Sequence, residues 1–145
     1  MRKKTAARIL AVQALYQADL RGKDFLSELD AFLRASSEDE EVRLFAEDLV
    51  KGLLEKQDAV DAAIAGAAEN WDVSRMAAVD RAILRLGAHE LLHRPDVPPK
   101  VAIDEAIRLA KMFSTRESGA FVNGVMDKMM NAHLPPAAPA PGRAP

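Results

Sequence analysis

Thr5-Ala-Ala-Arg-Ile-Leu-Ala-Val-Gln-Ala-Leu-Tyr-Gln-Ala-Asp-Leu-Arg21 is the stretch that decides the fold. Ile9, Val12, Tyr16 and Leu20 recur in it at three- and four-residue spacing, with Leu15 beside them. That is the apolar stripe of one helix, not the period-two alternation of a half-buried strand. Gly22 ends the pattern. A short second helix is expected from Asp24, a good N-cap residue, through Phe25, Leu29, Phe32 and Leu33. Ser37 and Glu40 then form a capping-box pattern ahead of Val42, Phe45, Leu49, Leu53 and Leu54.

The same period continues outward. Gln57 to Asn70 sets Val60, Ile64 and Ala67 or Ala68 on one side, with a break expected near Gly66. Beyond Trp71, Asp72 and Ser74, a buried face of Met76, Val79, Ile83, Leu86 and Leu91 runs until Pro95. Pro98 and Pro99 suit the first turn of a helix lined by Ile103, Ala106, Ile107, Ala110 and Phe113. A last helix from about Glu117 to Asn131 buries Val122, Val125, Met126 and Met129. The expectation is an all-α bundle of about seven helices over residues 1–131, followed by a disordered Pro/Ala-rich tail at 132–145 that holds five of the eight prolines.

At 145 residues the chain suits one domain with its own core. It has no cysteine, so disulfides and thiolate metal sites are excluded, and nothing requires an oxidising compartment. No stretch has the length of apolar sequence needed to span a membrane, and the N-terminus lacks a signal-peptide pattern, so a cytoplasmic address is expected. The formal net charge is only -2, yet it is unevenly spread. Arg2, Lys3, Lys4 and Arg8 precede the first acid, Asp19. Cations at a helix start oppose its dipole, which an external anion such as an RNA phosphate would relieve. Charge alone is equally consistent with a frayed, solvated end.

Two further patterns stand out. His89-Glu90-Leu-Leu-His93 spells the H-E-x-x-H of zinc hydrolases on a helix, but a catalytic zinc needs a third protein ligand and an open position. The alternative is that His93 simply sits in a favourable last turn, with His89 at the surface or boundary. Asn123-Gly124, with Gly119 before it, is turn-like sequence inside a helical pattern. Interior helix glycines are usually kept for close packing or close approach of a ligand. Beside them, Phe121 suits either the core or a stacked base, and Asn123 suits reading a base edge.

Several longer segments resemble the NusB family of bacterial transcription antitermination factors. They are Arg8-Ile-Leu-Ala-Val-Gln-Ala-Leu-Tyr-Gln-Ala-Asp19, Val79-Asp-Arg-Ala-Ile-Leu-Arg85 with Glu90-Leu91, Val101-Ala-Ile-Asp-Glu-Ala-Ile-Arg-Leu-Ala-Lys111, and Phe121-Val-Asn-Gly-Val-Met-Asp-Lys128. The resemblance implies two packed helical subdomains and no catalysis. It implies binding of the box A element of ribosomal RNA leader transcripts together with NusE, a small-subunit ribosomal protein, within the complex on elongating RNA polymerase. It places Arg2, Lys3, Lys4, Arg8, Gln13, Lys100, Lys111, Phe121 and Asn123 on the RNA face, and Tyr16, Asp80, Arg81 and Arg85 on the protein-partner face. No cofactor or metal is implied. Asp104 departs from the family's usual Asn, and Met126 from its usual Leu. The helical domain of ribosomal-RNA cytosine methyltransferases resembles the same fold, but those enzymes need a further α/β cofactor domain.

Overall fold

The computed structural model describes residues 1–69 and 72–135, and among them every regular element is helical. In chain order these are α1 (Lys3–Arg21), a 3-10 segment (Gly22–Glu28), α2 (Leu29–Ser36), α3 (Glu40–Glu55), α4 (Gln57–Ala67), a single 3-10 turn (Val73–Arg75), α5 (Ala78–His93), α6 (Pro99–Phe113) and α7 (Arg116–His133). The expected bundle of seven helices is present.

α5 is the axis. It packs against α1, α3, α4, α6 and α7, and it buries residues all round its circumference, as a central helix must. Gly87 lets three helices meet on it: a Cβ there would stand 3.0 Å from the Met126 side chain and 3.2 Å from Ala106. α1, α2 and α3 form one packed group with the 3-10 segment, and α4 to α7 form the other.

α1 differs from its expected stripe. Val12 and Leu15 are buried, but the rest of the buried face is Thr5, Ala7, Arg8, Ala11 and Ala14. Tyr16 is half in solvent and Leu20 is 60% exposed. The physical reason is close packing: α1 lies between α3 and α5, and its alanines turn inward because small side chains allow near approach on two sides. Gly22 stops the helix as expected, at a positive φ of 77° that L side chains rarely adopt.

Two helix starts also move. Asp24 lies within the 3-10 segment and α2 begins at Leu29, although Phe25, Leu29 and Leu33 are buried as the pattern required. α3 is capped by Asp39, whose carboxylate accepts from the Glu41 and Val42 amides, while Ser37 Oγ stands one step out and accepts from the Asp39 amide. α4 ends at Ala67, next to Gly66 as anticipated. Asp72 caps the 3-10 turn, and Asn70 and Trp71 lie outside the described residues. Pro99 opens α6, Thr115 caps α7, and α7 continues to His133, so the first two residues assigned to the tail are helical. The tail from 136 to 145 lies outside the described residues.

Candidate nucleic-acid interface

α6 touches both of the other helices that carry candidate residues, α1 through one hydrogen bond and α7 along its length. At one point along it, Glu105 accepts a hydrogen bond from Thr5 Oγ at 3.1 Å, which fixes the first turns of α1 beside α6. Six residues further on, about 9 Å along a helix axis, the Lys111 stem lies across α7. A Cβ on Gly119 would meet Lys111 Cγ at 3.3 Å and Cε at 3.5 Å. Gly119 is therefore a packing glycine, and its absent side chain seats a lysine over the segment that leads to Phe121.

Arg2, Lys3, Lys4, Gln13, Lys100, Lys111 and Asn123 are all exposed, and Phe121 is half-buried with its ring packed against the core. Lys3 is engaged in part with Asp39 and Glu41 of α3, at 3.2 and 3.4 Å, and its pKa is raised mainly by the hydrogen bonds to those two carboxylates. The Lys4 ammonium stands 5.7 Å from the centroid of the Phe45 ring, which Arg8 and Arg94 also approach. The sequence reading missed Arg108. It is exposed on α6, four residues after Asp104 and three before Lys111, so these three share a stripe with Lys100. Helical spacing along α6 held that signal.

Arg8 corrects the expectation of a surface contact. It is 3% exposed, and its guanidinium donates to both oxygens of Glu90, itself 2% exposed, at 2.8 to 3.0 Å. Glu105 lies 4.0 Å from the same group. The charge belongs to a bidentate buried pair that ties α1 to α5, so it does not reach an RNA phosphate.

Glu90 in that pair also breaks up the zinc-like motif. Its carboxylate is held by α1, while His89 faces α3, where its Nε2 lies 3.0 Å from the Cβ position of Gly52. Among the described residues no three His, Cys, Asp or Glu side chains are grouped to hold a metal ion. His89 is not a boundary residue: it is 3% exposed, and both ring nitrogens are buried without a hydrogen-bond partner. Burial, then the neighbouring His93 and Arg94, pushes its pKa down to about 4. The His93 pKa is lowered too, chiefly by burial and then by the Lys56 charge.

The residues expected on the partner face separate. Arg81 binds Asp19 and donates to the carbonyls of Val73, Ser74 and Met76, pinning the 3-10 turn. Arg85 bridges Asp19 and Asp61, which joins α1, α4 and α5. Asp80 accepts from Ser118 Oγ at 3.3 Å and has its other oxygen buried. These three are committed to internal contacts, and Tyr16 stands exposed. Leu20, one turn further along α1, and Leu26 of the 3-10 segment are also exposed, and a separate groove of about 400 Å³ is lined by Leu15, Leu26, Leu54, Asp19, Glu55 and Asp58. Leu26 is not legible from the sequence, because the 3-10 segment that presents it has no α-helical period to read.

Comparison with known proteins bears on this geometry. Residues 5–131 match the model of the NusB family. A transcription antitermination protein NusB of Anaeromyxobacter dehalogenans (strain 2CP-1 / ATCC BAA-258) is 48% identical over 136 residues, covering 93% of this chain and 94% of that protein. The NusB structure from T. maritima superposes with a TM-score of 0.79 at 32% identity, covering 93% of this chain and 94% of that one. A structure of the antitermination factors NusB and NusE in complex with double-stranded RNA superposes at 0.82 and 26% identity, covering 91% of this chain and 98% of the matched chain.

Proposed function

The chain belongs to the NusB family, and on that premise we propose that it is a transcription antitermination factor that binds box A RNA of ribosomal RNA leader transcripts jointly with NusE. It acts in the cytoplasm, within the complex on elongating RNA polymerase, and catalyses no reaction. The observation that carries this reading is the role of α6 as a bridge. Thr5 on Glu105 holds the first turns of α1 against α6, and Lys111 across Gly119 seats an α6 cation on α7, the helix that carries Phe121 and Asn123.

Each part then has a physical task. Arg2, Lys4, Lys100, Arg108 and Lys111 supply phosphate contacts, which give affinity without sequence preference. Phe121 offers a surface for a base and Asn123 reads its edge, with Gln13 as a further polar contact. Lys3 contributes less than its neighbours, since Asp39 and Glu41 already compensate it. Tyr16, Leu20, Leu26 and the adjoining groove form the surface for NusE.

Titration of box A RNA and a scrambled strand, each with and without NusE, tests the proposal. Tighter binding of box A, strengthened by NusE, is expected. Equal affinity for both strands in both conditions would exclude sequence-selective antitermination binding. Phe121→Ala should reduce discrimination between the strands more than it reduces binding to the scrambled one.

A further inference from the structure

We infer that Glu105 of α6 is a positioning residue for the RNA contacts at the tip of α1: acting through Thr5, it supplies the acid that α1 lacks at its own start and orders Arg2 and Lys4 before RNA arrives. This rests on the RNA-binding reading above and adds to it a residue that touches no RNA.

Among the described α-helices, α1 alone begins with neither a capping side chain, nor an acid in its first turn, nor a proline at its first position. α3 and α7 are capped by Asp39 and Thr115. α2, α4 and α5 carry Asp30, Asp58 and Asp80 in their first turns, and α6 opens on Pro99. α1 instead has Arg2 at its N-cap position, followed by Lys3 and Lys4. Positive charge there opposes the helix dipole, and first-turn amides without a cap favour fraying. By its own sequence this end should be the loosest part of the helix.

Packing supplies what the sequence omits. Thr5, in the same first turn, is buried, and its Oγ donates to Glu105 Oε1 at 3.1 Å. The Glu105 side chain is only 12% exposed, so salt screens its charge little. Arg8 does not use up that charge. Its guanidinium is committed to both oxygens of Glu90 and stands 4.0 Å from Glu105, whose Oε2 is buried without a hydrogen-bond partner. One guanidinium thus faces two carboxylates, which leaves negative charge beside the positive end of the α1 dipole and its cations. An ordered tip meets phosphates without first losing side-chain and backbone freedom, a cost that falls on binding when the tip is frayed.

Glu105 also faces Arg8, so the link is best cut at Thr5, where Thr5→Val keeps the shape and removes the donor. Thr5→Val and Thr5→Ser are compared with the unaltered full chain by titration of box A RNA in the presence of NusE. Amide hydrogen exchange is followed over the first two turns of α1. Thr5→Val should weaken RNA binding by about threefold or more, the cost of immobilising one side chain on binding, and should speed exchange in those turns. Thr5→Ser should restore both. In a chain already carrying Arg2→Ala and Lys4→Ala, Thr5→Val should cost no further RNA affinity, because the groups it positions are gone. An equal loss in both backgrounds overturns the inference, since the effect then travels through the fold and not through the tip. Unchanged affinity in Thr5→Val, with the unaltered chain still binding, also overturns it and leaves the RNA reading intact. Failure of the unaltered chain to bind RNA removes the RNA reading itself, and the inference with it.

Discussion

At the scale of single residues, Arg8 and His89 are the two side chains whose chemistry depends most on burial. Removing the Arg8 guanidinium would leave the Glu90 carboxylate buried and unpaired. Arg8→Ala should therefore destabilise the fold by about 3–5 kcal/mol in chemical denaturation. Arg8→Met combined with Glu90→Leu should recover most of that loss, because both charges leave together. His89 makes stability depend on pH. Its folded pKa of about 4 lies below the ordinary 6.5, so between those values the unfolded chain binds a proton that the folded chain does not. The contribution is complete above pH 6.5 and is lost as pH falls through 4, on the order of 3 kcal/mol in all. His89→Phe, which keeps a buried ring without a titrating group, should flatten denaturation midpoints across that window. An unchanged pH profile would exclude His89 as the source.

At the scale of elements, the tip of α1 and the outer stripe of α6 should act through phosphate charge alone. Arg2→Ala with Lys4→Ala should leave the denaturation midpoint nearly unchanged, as expected for exposed positions. It should reduce the log-log salt slope of RNA binding by about 1.4, two phosphate contacts at roughly 0.7 each for a single strand. Arg8 is left intact in that variant so that binding is not confused with unfolding. On α6, Asp104 interrupts the cationic stripe of Lys100, Arg108 and Lys111. Asp104→Asn should tighten binding to box A and scrambled RNA alike, with the gain fading at high salt as screening grows. The period of each helix was legible in the chain, but which side of it faced inward was not always so. α1 shows why: a sandwiched helix turns its alanines towards two neighbours, and no scale that ranks residues by hydrophobicity prefers Ala7 or Ala11 to Leu20.

For the whole molecule, the proposed RNA and NusE contacts use different residues of the bundle, so any cooperation between the two ligands must be reciprocal. The factor by which NusE tightens RNA binding should equal the factor by which RNA tightens NusE binding, measured as equilibrium constants on the same preparation. Tyr16→Ala with Leu26→Asp should weaken NusE binding and leave RNA affinity without NusE unchanged. Loss of RNA affinity in that variant would place the groove on the RNA face instead.

The sequence by itself determined the helical class, the order of the seven helices and most of the core, because those follow from local period, capping residues and proline placement. It also determined the family, through segments whose order and spacing span nearly the whole chain. Tertiary structure alone decided the fate of each charge. Arg8 reads in sequence like Lys4, and Arg81 like Arg108, yet one of each pair is buried or bound to carboxylates brought in from distant helices. Charge is a property of the residue, whereas exposure belongs to the packing around it. The packing around Arg8 is set by Glu90, 82 positions away.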